Sequence, residues 1–189
     1  MTLVATPRPA DDIAEILVNA EDIGAKVREM GARIAADYAG RDLVLVSILK
    51  GALPFLADLM RATQIPLALD FLEVSSYGTG TESSGVVRIL KDLAQPIAGR
   101  DVLVVEDILD TGQTLNYVID HLHAQRPASV RLCVLLDKPT RRVVPVEIDY
   151  RGFEIPDKFV VGYGLDYAER YRNLPFVGVL KSEVYARPS

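Results

Sequence analysis

Val102 to Leu115 reads VLVVEDILDTGQTL, and this stretch decides the fold class. An apolar run, Val102–Val105, ends in two adjacent acids, Glu106 and Asp107, and a third acid follows at Asp110. After Thr111-Gly112-Gln113-Thr114, the residues Leu115, Val118, Ile119 and Leu122 fall on one helical face. The spacing predicts a strand, an acidic loop and a helix N-terminus, in that order.

Each part has a chemical use. The first N–H groups of a helix have no partner within it, and the macrodipole adds partial positive charge, so a helix start suits an anion and above all phosphate. Thr111 and Thr114 add hydroxyl donors, and Gly112 lets the backbone approach a ligand. The upstream acids suit sugar hydroxyls, a hard cation such as Mg²⁺, or a proton in transit. Phosphate on one side and hydroxyl-binding acids on the other describe a phosphorylated sugar. Two plainer readings compete. Acids after a strand also serve as a solvated turn or an N-cap, which accounts for any one of these residues but not for the pattern. Asp110-Thr111-Gly112 also matches the aspartic-protease triplet, but that chemistry needs two carboxylates sharing a proton, and here one triplet is followed by a helix.

The 189 residues are enough for one domain with a substantial core, and 49% are hydrophobic, which argues against disorder. A net charge of −5 argues against a nucleic-acid or anionic-membrane surface. Cys133, the single cysteine, lies in the apolar run Val130–Leu136 and is expected to be a buried thiol. His121 and His123, at i and i+2 on a helix, point to different faces and do not form a shared metal site. The chain shows no run of transmembrane length and no basic-then-apolar leader, so no membrane partner and a cytoplasmic location are expected.

Outward from the acidic stretch, the apolar runs Leu43–Leu49, Leu67–Val74, Val130–Leu136, Phe159–Val161 and Phe176–Leu180 read as further strands. Such continuous runs suit strands buried on both faces of a parallel sheet. Ile13, Ile16 and Leu17 share one helical face, and Ile23, Val27, Met30, Ile34 and Tyr38 mark a second helix with Gly40 as its C-cap. Gly51 to Arg61 reads as a third, with Pro54 tolerated in its first turn. Strand–helix alternation predicts an α/β domain with a mostly parallel sheet. From Asp137 onward the chain reads as a smaller, irregular subregion. Ligands in open α/β sheets bind beyond the carboxyl ends of strands, where Lys50, Glu106, Asp107, Asp110 and Lys138 all fall.

The ED-x-x-DTG-x-T stretch resembles the phosphoribosyl-diphosphate (PRPP) motif of the type I phosphoribosyltransferases, in the form found in their 6-oxopurine branch, the hypoxanthine-guanine enzymes. The resemblance runs from about Val46 to Leu180. It implies the type I phosphoribosyltransferase fold, a twisted, mostly parallel sheet flanked by helices. It also implies one domain over 1–189, with a hood formed mainly by about 137–180 and N-terminal residues.

The site roles that follow are what the resemblance implies. Glu106 and Asp107 bind the ribose hydroxyls, directly or through Mg²⁺, while Asp110 to Thr114 hold the 5′-phosphate and Ile108 and Leu109 border it. Asp110 is the candidate base for purine N7. Lys50-Gly51 ends a strand as the diphosphate loop, in which the peptide before the lysine is often cis. Ser75 to Gly85, glycine-rich and on composition alone better read as a hairpin loop, resembles the mobile lid, with Ser76 and Tyr77 on the diphosphate; a lid would exclude water from a ribosyl cation. Arg172 binds diphosphate, Lys138 donates to the purine O6, Phe159 stacks on the base and Val160 reads its edge through its carbonyl. Glu106 and Asp107 are Mg²⁺ ligands, and Asp166, also part of the purine site, holds a second Mg²⁺ through water or directly. The implied substrates are PRPP and a 6-oxopurine, and the implied assembly is a homodimer or homotetramer. The alternatives are a PRPP-sensing regulator of the same fold and a transferase for another base. The absence of G-x-x-x-x-G-K-[ST] and of a complete G-x-G-x-x-G removes support from NTPase and dinucleotide readings.

Overall fold

The computed structural model describes residues 8–76 and 87–185. Its framework is a six-stranded sheet in the order β4-β3-β2-β5-β6-β7, built from β2 (Leu43–Ile48), β3 (Ala68–Ser76), β4 (Val87–Lys91), β5 (Asp101–Leu109), β6 (Ser129–Asp137) and β7 (Tyr150–Glu154). Five strands run parallel, and β4 joins the edge antiparallel to β3. Every residue of β2 is buried, which explains why its sequence, Ser47 apart, is an apolar run rather than an alternating one.

Two helices, α1 (Ala20–Asp37) and α2 (Leu53–Ala62), cover one face; Ile23, Val27, Ile34, Phe55 and Leu59 pack there against Leu45, Leu103 and Val105. The Asn19 side chain caps α1 by accepting from the Asp22 N–H at 2.9 Å. On the other face α3 (Gln113–Ala124) lays Leu115, Val118 and Leu122 against Val102 and Val104. Each such fully buried aliphatic side chain contributes about 1.5–3 kcal/mol relative to exposure. Cys133 is buried between β5 and β7, as expected. Among the described residues no helix is long and apolar enough to cross a membrane.

A second sheet, β1-β9-β8, consists of β1 (Ile13–Val18), β8 (Val160–Val161) and β9 (Val177–Leu180), all antiparallel, followed by the short helix α4 (Ser182–Tyr185). This corrects one expectation. Ile13, Ile16 and Leu17 lie on a strand, not a helix. Six residues make less than two helical turns, and pairing of Ile13 with Leu180 and Val18 with Val177 outweighs the weak helical signal. Ile16, on the supposed apolar face, is 53% exposed.

Three smaller corrections bear on the site. Glu106 and Asp107 are not in a loop: β5 continues through both to Leu109, because β6 pairs with it as far as Asp137. Helix α2 starts at Leu53, so Lys50-Gly51 belongs to a turn before it. Strands β4 and β7 had no counterpart in the sequence reading; their short, half-exposed patterns lack the apolar runs of the central strands.

Candidate active site

The carboxyl ends of β2, β5 and β6 carry most of the predicted residues. Beyond β5, Asp110-Thr111-Gly112 turns the chain into α3, and Gly112 takes the left-handed conformation (φ 85°) that only glycine adopts without strain. The turn is held from outside. The carbonyl of Thr111 accepts from the N–H groups of Val143 and Val144 at 2.9 and 3.0 Å. Arg142 Nε donates to the Asp110 carbonyl at 3.0 Å, and Arg141 Nε donates to the Asp110 carboxylate at 3.1 Å. Arg142 also reaches the fully buried Asp137 carboxylate, with which Arg151 Nε forms an ion pair at 3.1 Å. Glu106, Asp110, Thr111, Gly112 and Thr114 line a cavity of about 150 Å³ at the start of α3. Gln113 is the first residue of that helix. Leu109 is buried and its carbonyl accepts from the Lys138 N–H at 3.0 Å, while the Ile108 N–H is donated to the Asp107 carboxylate at 2.8 Å.

Strand alternation sends the two adjacent acids to different sides. Glu106 faces the cavity and accepts from the Ile48 N–H at 3.0 Å. Asp107 lies against Gly51, where an added Cβ would collide with its carboxylate. Burial raises the proton affinity of both. Glu106 is pushed well up by desolvation and then by the neighbouring Asp107 charge, and Asp107 is pushed up to about 6 by desolvation, opposed by backbone N–H bonds and the Arg172 charge.

The Leu49–Lys50 peptide is cis. Lys50 Nζ meets the Glu169 carboxylate at 3.3 Å, and the same carboxylate meets Arg172 Nη2 at 3.3 Å. Arg172 also pairs with Asp166 at 2.7 Å and donates from Nη1 to the Gly164 carbonyl at 2.9 Å; among the described residues its buried Nε has no hydrogen-bond partner. Lys50, Arg172 and Asp166 are thus brought together, with Asp107 in electrostatic reach of the last two.

After β6, Lys138 is buried and donates to the Lys158 carbonyl at 2.6 Å. That carbonyl immediately precedes Phe159, which is half exposed, while Val160 is buried in β8. Phe159 makes edge-to-face contacts with Tyr167 and Tyr185. Ser76 is the last residue of β3; Tyr77 and the rest of the lid-like stretch to Gly85 lie outside the described residues.

Sequence reasoning missed Glu169, Arg141, Arg142 and Tyr185. An arginine pair three residues after Lys138 was a legible signal, whereas Glu169 sits in a loop of left-handed residues, Ala168 (φ 51°), Glu169 (φ 60°) and Tyr171 (φ 76°), that no local pattern announces. Among the described residues no cluster of three or more His, Cys, Asp or Glu is poised around a metal, and His121 instead contacts Asp92 at 3.0 Å.

The chain is 49% identical over 174 residues to the hypoxanthine-guanine phosphoribosyltransferase of Bacillus subtilis (strain 168), covering 92% of this chain and 97% of that one. It is 51% identical over 176 residues to the bifunctional protein TilS/HprT of Listeria innocua, of whose length it spans only 27%. A crystal structure of a hypoxanthine phosphoribosyltransferase from Staphylococcus aureus superposes with a TM-score of 0.91 at 49% identity, covering 94% of this chain and 97% of that one. Residues 14–168 match the phosphoribosyl transferase domain model, and with a mostly parallel sheet that ends in this acidic turn, the chain belongs to the phosphoribosyl transferase family.

Proposed function

We propose that the protein is a purine-salvage enzyme that transfers the 5-phosphoribosyl group of PRPP to N9 of hypoxanthine or guanine, giving IMP or GMP and diphosphate. The observation that carries this reading is the neighbourhood of two sites at the ends of adjacent strands. The Asp110–Thr114 turn and its cavity follow β5, and buried Lys138, tied to the backbone before Phe159, follows β6. The first suits a sugar phosphate. The second offers an ammonium to a carbonyl oxygen and a ring face to a planar base, which favours 6-oxopurines over adenine.

In this reading the helix N-terminus, Thr111 and Thr114 bind the 5′-phosphate, with Gly112 allowing close approach and Gln113 opening the helix. The C1′–O bond to diphosphate breaks as the N9–C1′ bond forms, and the leaving diphosphate takes the bonding electrons. Lys50 with Gly51, Arg172, Ser76 and Tyr77 receive it; electrostatic stabilisation of this kind is usually the largest catalytic contribution. Asp110 takes the purine N7 proton, a role worth about 10²–10⁴-fold. Glu106 and Asp107 hold the ribose hydroxyls. Because Glu106 and Asp107 face different sides, the proposed Mg²⁺ sites are two: Glu106 would hold one ion at the cavity, and Asp107 with Asp166 a second beside the diphosphate cations. All three are hard oxygen donors, two carry charge that burial penalises, and Mg²⁺ sites commonly combine one or two carboxylates with substrate oxygens. Bound there, Mg²⁺ supplies charge neutralisation for the diphosphate. The β1-β9-β8 sheet is the proposed hood, and two or four copies are the proposed assembly.

The test is turnover with PRPP and Mg²⁺ against hypoxanthine, guanine, xanthine and adenine, with and without EDTA. Metal-dependent nucleotide formation from 6-oxopurines but not adenine is the expected result. PRPP binding without turnover on any base would replace this reading with a PRPP-sensing regulator.

A further inference from the structure

Phe159 is a large apolar side chain left 51% exposed, yet two tyrosines border its ring. Its centroid lies 5.9 Å from that of Tyr167 at an interplanar angle of 83°, and 6.1 Å from that of Tyr185 at 81°. The tyrosines meet each other at 5.3 Å and 72°. Three segments therefore converge on one ring: the turn before β8, the loop that carries Glu169, and α4. Edge-to-face pairs of this geometry are attractive beyond the area that they bury, because a ring's positive edge meets its neighbour's negative face. A ring held by two near-perpendicular neighbours has lost much of the rotamer freedom of an exposed phenylalanine. The Lys138 ammonium fixes the carbonyl just before Phe159 at 2.6 Å, so backbone and ring are both anchored. Helix α4 meets the core through partly buried Val184, whereas Tyr185 is itself 41% exposed and belongs to no core cluster, so its ring is held by its aromatic neighbours rather than by core packing. It also lies beyond residues 14–168, the part of the chain matched by the family model.

We propose that Tyr185 is a positioning residue for the base: from α4, and together with Tyr167, it holds the Phe159 ring at the orientation on which a planar purine stacks. This rests on the reading of Phe159 as the base-stacking residue. It makes α4 a determinant of purine affinity, separate from the machinery that binds ribose phosphate and diphosphate.

The test compares the full-length wild type with Tyr185→Ala, Tyr185→Leu, Tyr185→Phe and Phe159→Ala. KM for hypoxanthine is measured at saturating PRPP, KM for PRPP at saturating hypoxanthine, and kcat in both series. Tyr185→Ala and Tyr185→Leu should each raise KM for hypoxanthine about threefold to tenfold, the size of one ring pair. KM for PRPP and kcat should stay within about twofold, and Tyr185→Phe should restore the wild-type value because only the ring is needed. If both variants leave KM for hypoxanthine unchanged while Phe159→Ala raises it, the inference is wrong and the stacking role of Phe159 stands. If KM for PRPP rises in parallel, Tyr185 supports the fold at large and the inference is wrong. Phe159→Ala with unchanged KM for hypoxanthine removes the stacking assignment and the inference with it. A wild type that forms no IMP overturns the proposed activity itself.

Discussion

The carboxylate of Asp107 occupies the space that a side chain on Gly51 would need. The two residues come from neighbouring strand ends, and Gly51 is packed from another side by Gly164, whose own Cβ would strike the Gly51 carbonyl. Substitution of Gly51 by alanine should therefore displace Asp107 or tilt the Lys50 turn. A misplacement of about 1 Å at a reacting site costs on the order of 10²-fold. Gly51→Ala is expected to lose about that much in kcat/KM for PRPP while still folding cooperatively in urea; an unchanged kcat/KM would show that the fit is not needed for activity.

Burial makes Asp107 bind its proton more tightly in the folded chain than in the unfolded one, with a folded value of about 6. The sign follows. A carboxylate raised on folding favours the folded state most below its ordinary value near 4, and that contribution is lost as pH rises through about 6. Without substrate and with EDTA present, Asp107→Asn should melt at a higher temperature than wild type at pH 8, by roughly 4 °C or more. The advantage should shrink as the pH is lowered to 5. Thermal scans across that range check it, and an advantage that grows toward pH 5 contradicts the sign.

Glu169 bridges Lys50 and Arg172, the two cations assigned to diphosphate. In the proposed reaction an incoming diphosphate would displace that carboxylate. Glu169→Gln is therefore expected to lower KM for PRPP about twofold to fivefold, the range set by exposed ion pairs, and to tighten product inhibition by diphosphate. A higher KM in the variant would mean that Glu169 assists binding instead.

Arg142 joins the Asp110 turn to the buried Asp137 carboxylate. Its removal leaves Asp137 with Arg151, a partly exposed partner. Arg142→Ala should cost about 1.5–3 kcal/mol of stability, the range for hydrogen bonds to a charged group, since Arg151 still faces Asp137. The double variant with Asp137→Asn should recover part of the loss, because the buried charge that Arg142 shared in neutralising is then absent. Urea midpoints of the two single variants and the double variant give the coupling, and simple additivity would refute it.

The parallel sheet was legible from its apolar runs because a strand buried on both faces is almost continuously apolar, as β2 is apart from Ser47 and as Val102–Val105 of β5 is. The phosphate turn was legible because Asp110-Thr111-Gly112 is a local device: a glycine at φ 85° and a helix start need only adjacent residues. The same locality explains Lys50, Lys138 and Cys133, each placed by its own strand. What the chain could not reveal unaided depends on partners distant in sequence. Ile13–Val18 is a strand because β9, some 160 residues on, supplies its hydrogen bonds. Glu106 and Asp107 are strand residues facing different sides because β6 pairs past them. Glu169 meets Lys50 across 119 positions, and Tyr185 reaches Phe159 from the opposite side of β9 in the chain. Periodicity and turn chemistry encode what neighbours along the chain do to one another; contacts closed by the fold have no local signature. By itself the sequence determined the sheet core and the acidic turn, and only the tertiary structure decided which charges and rings surround them.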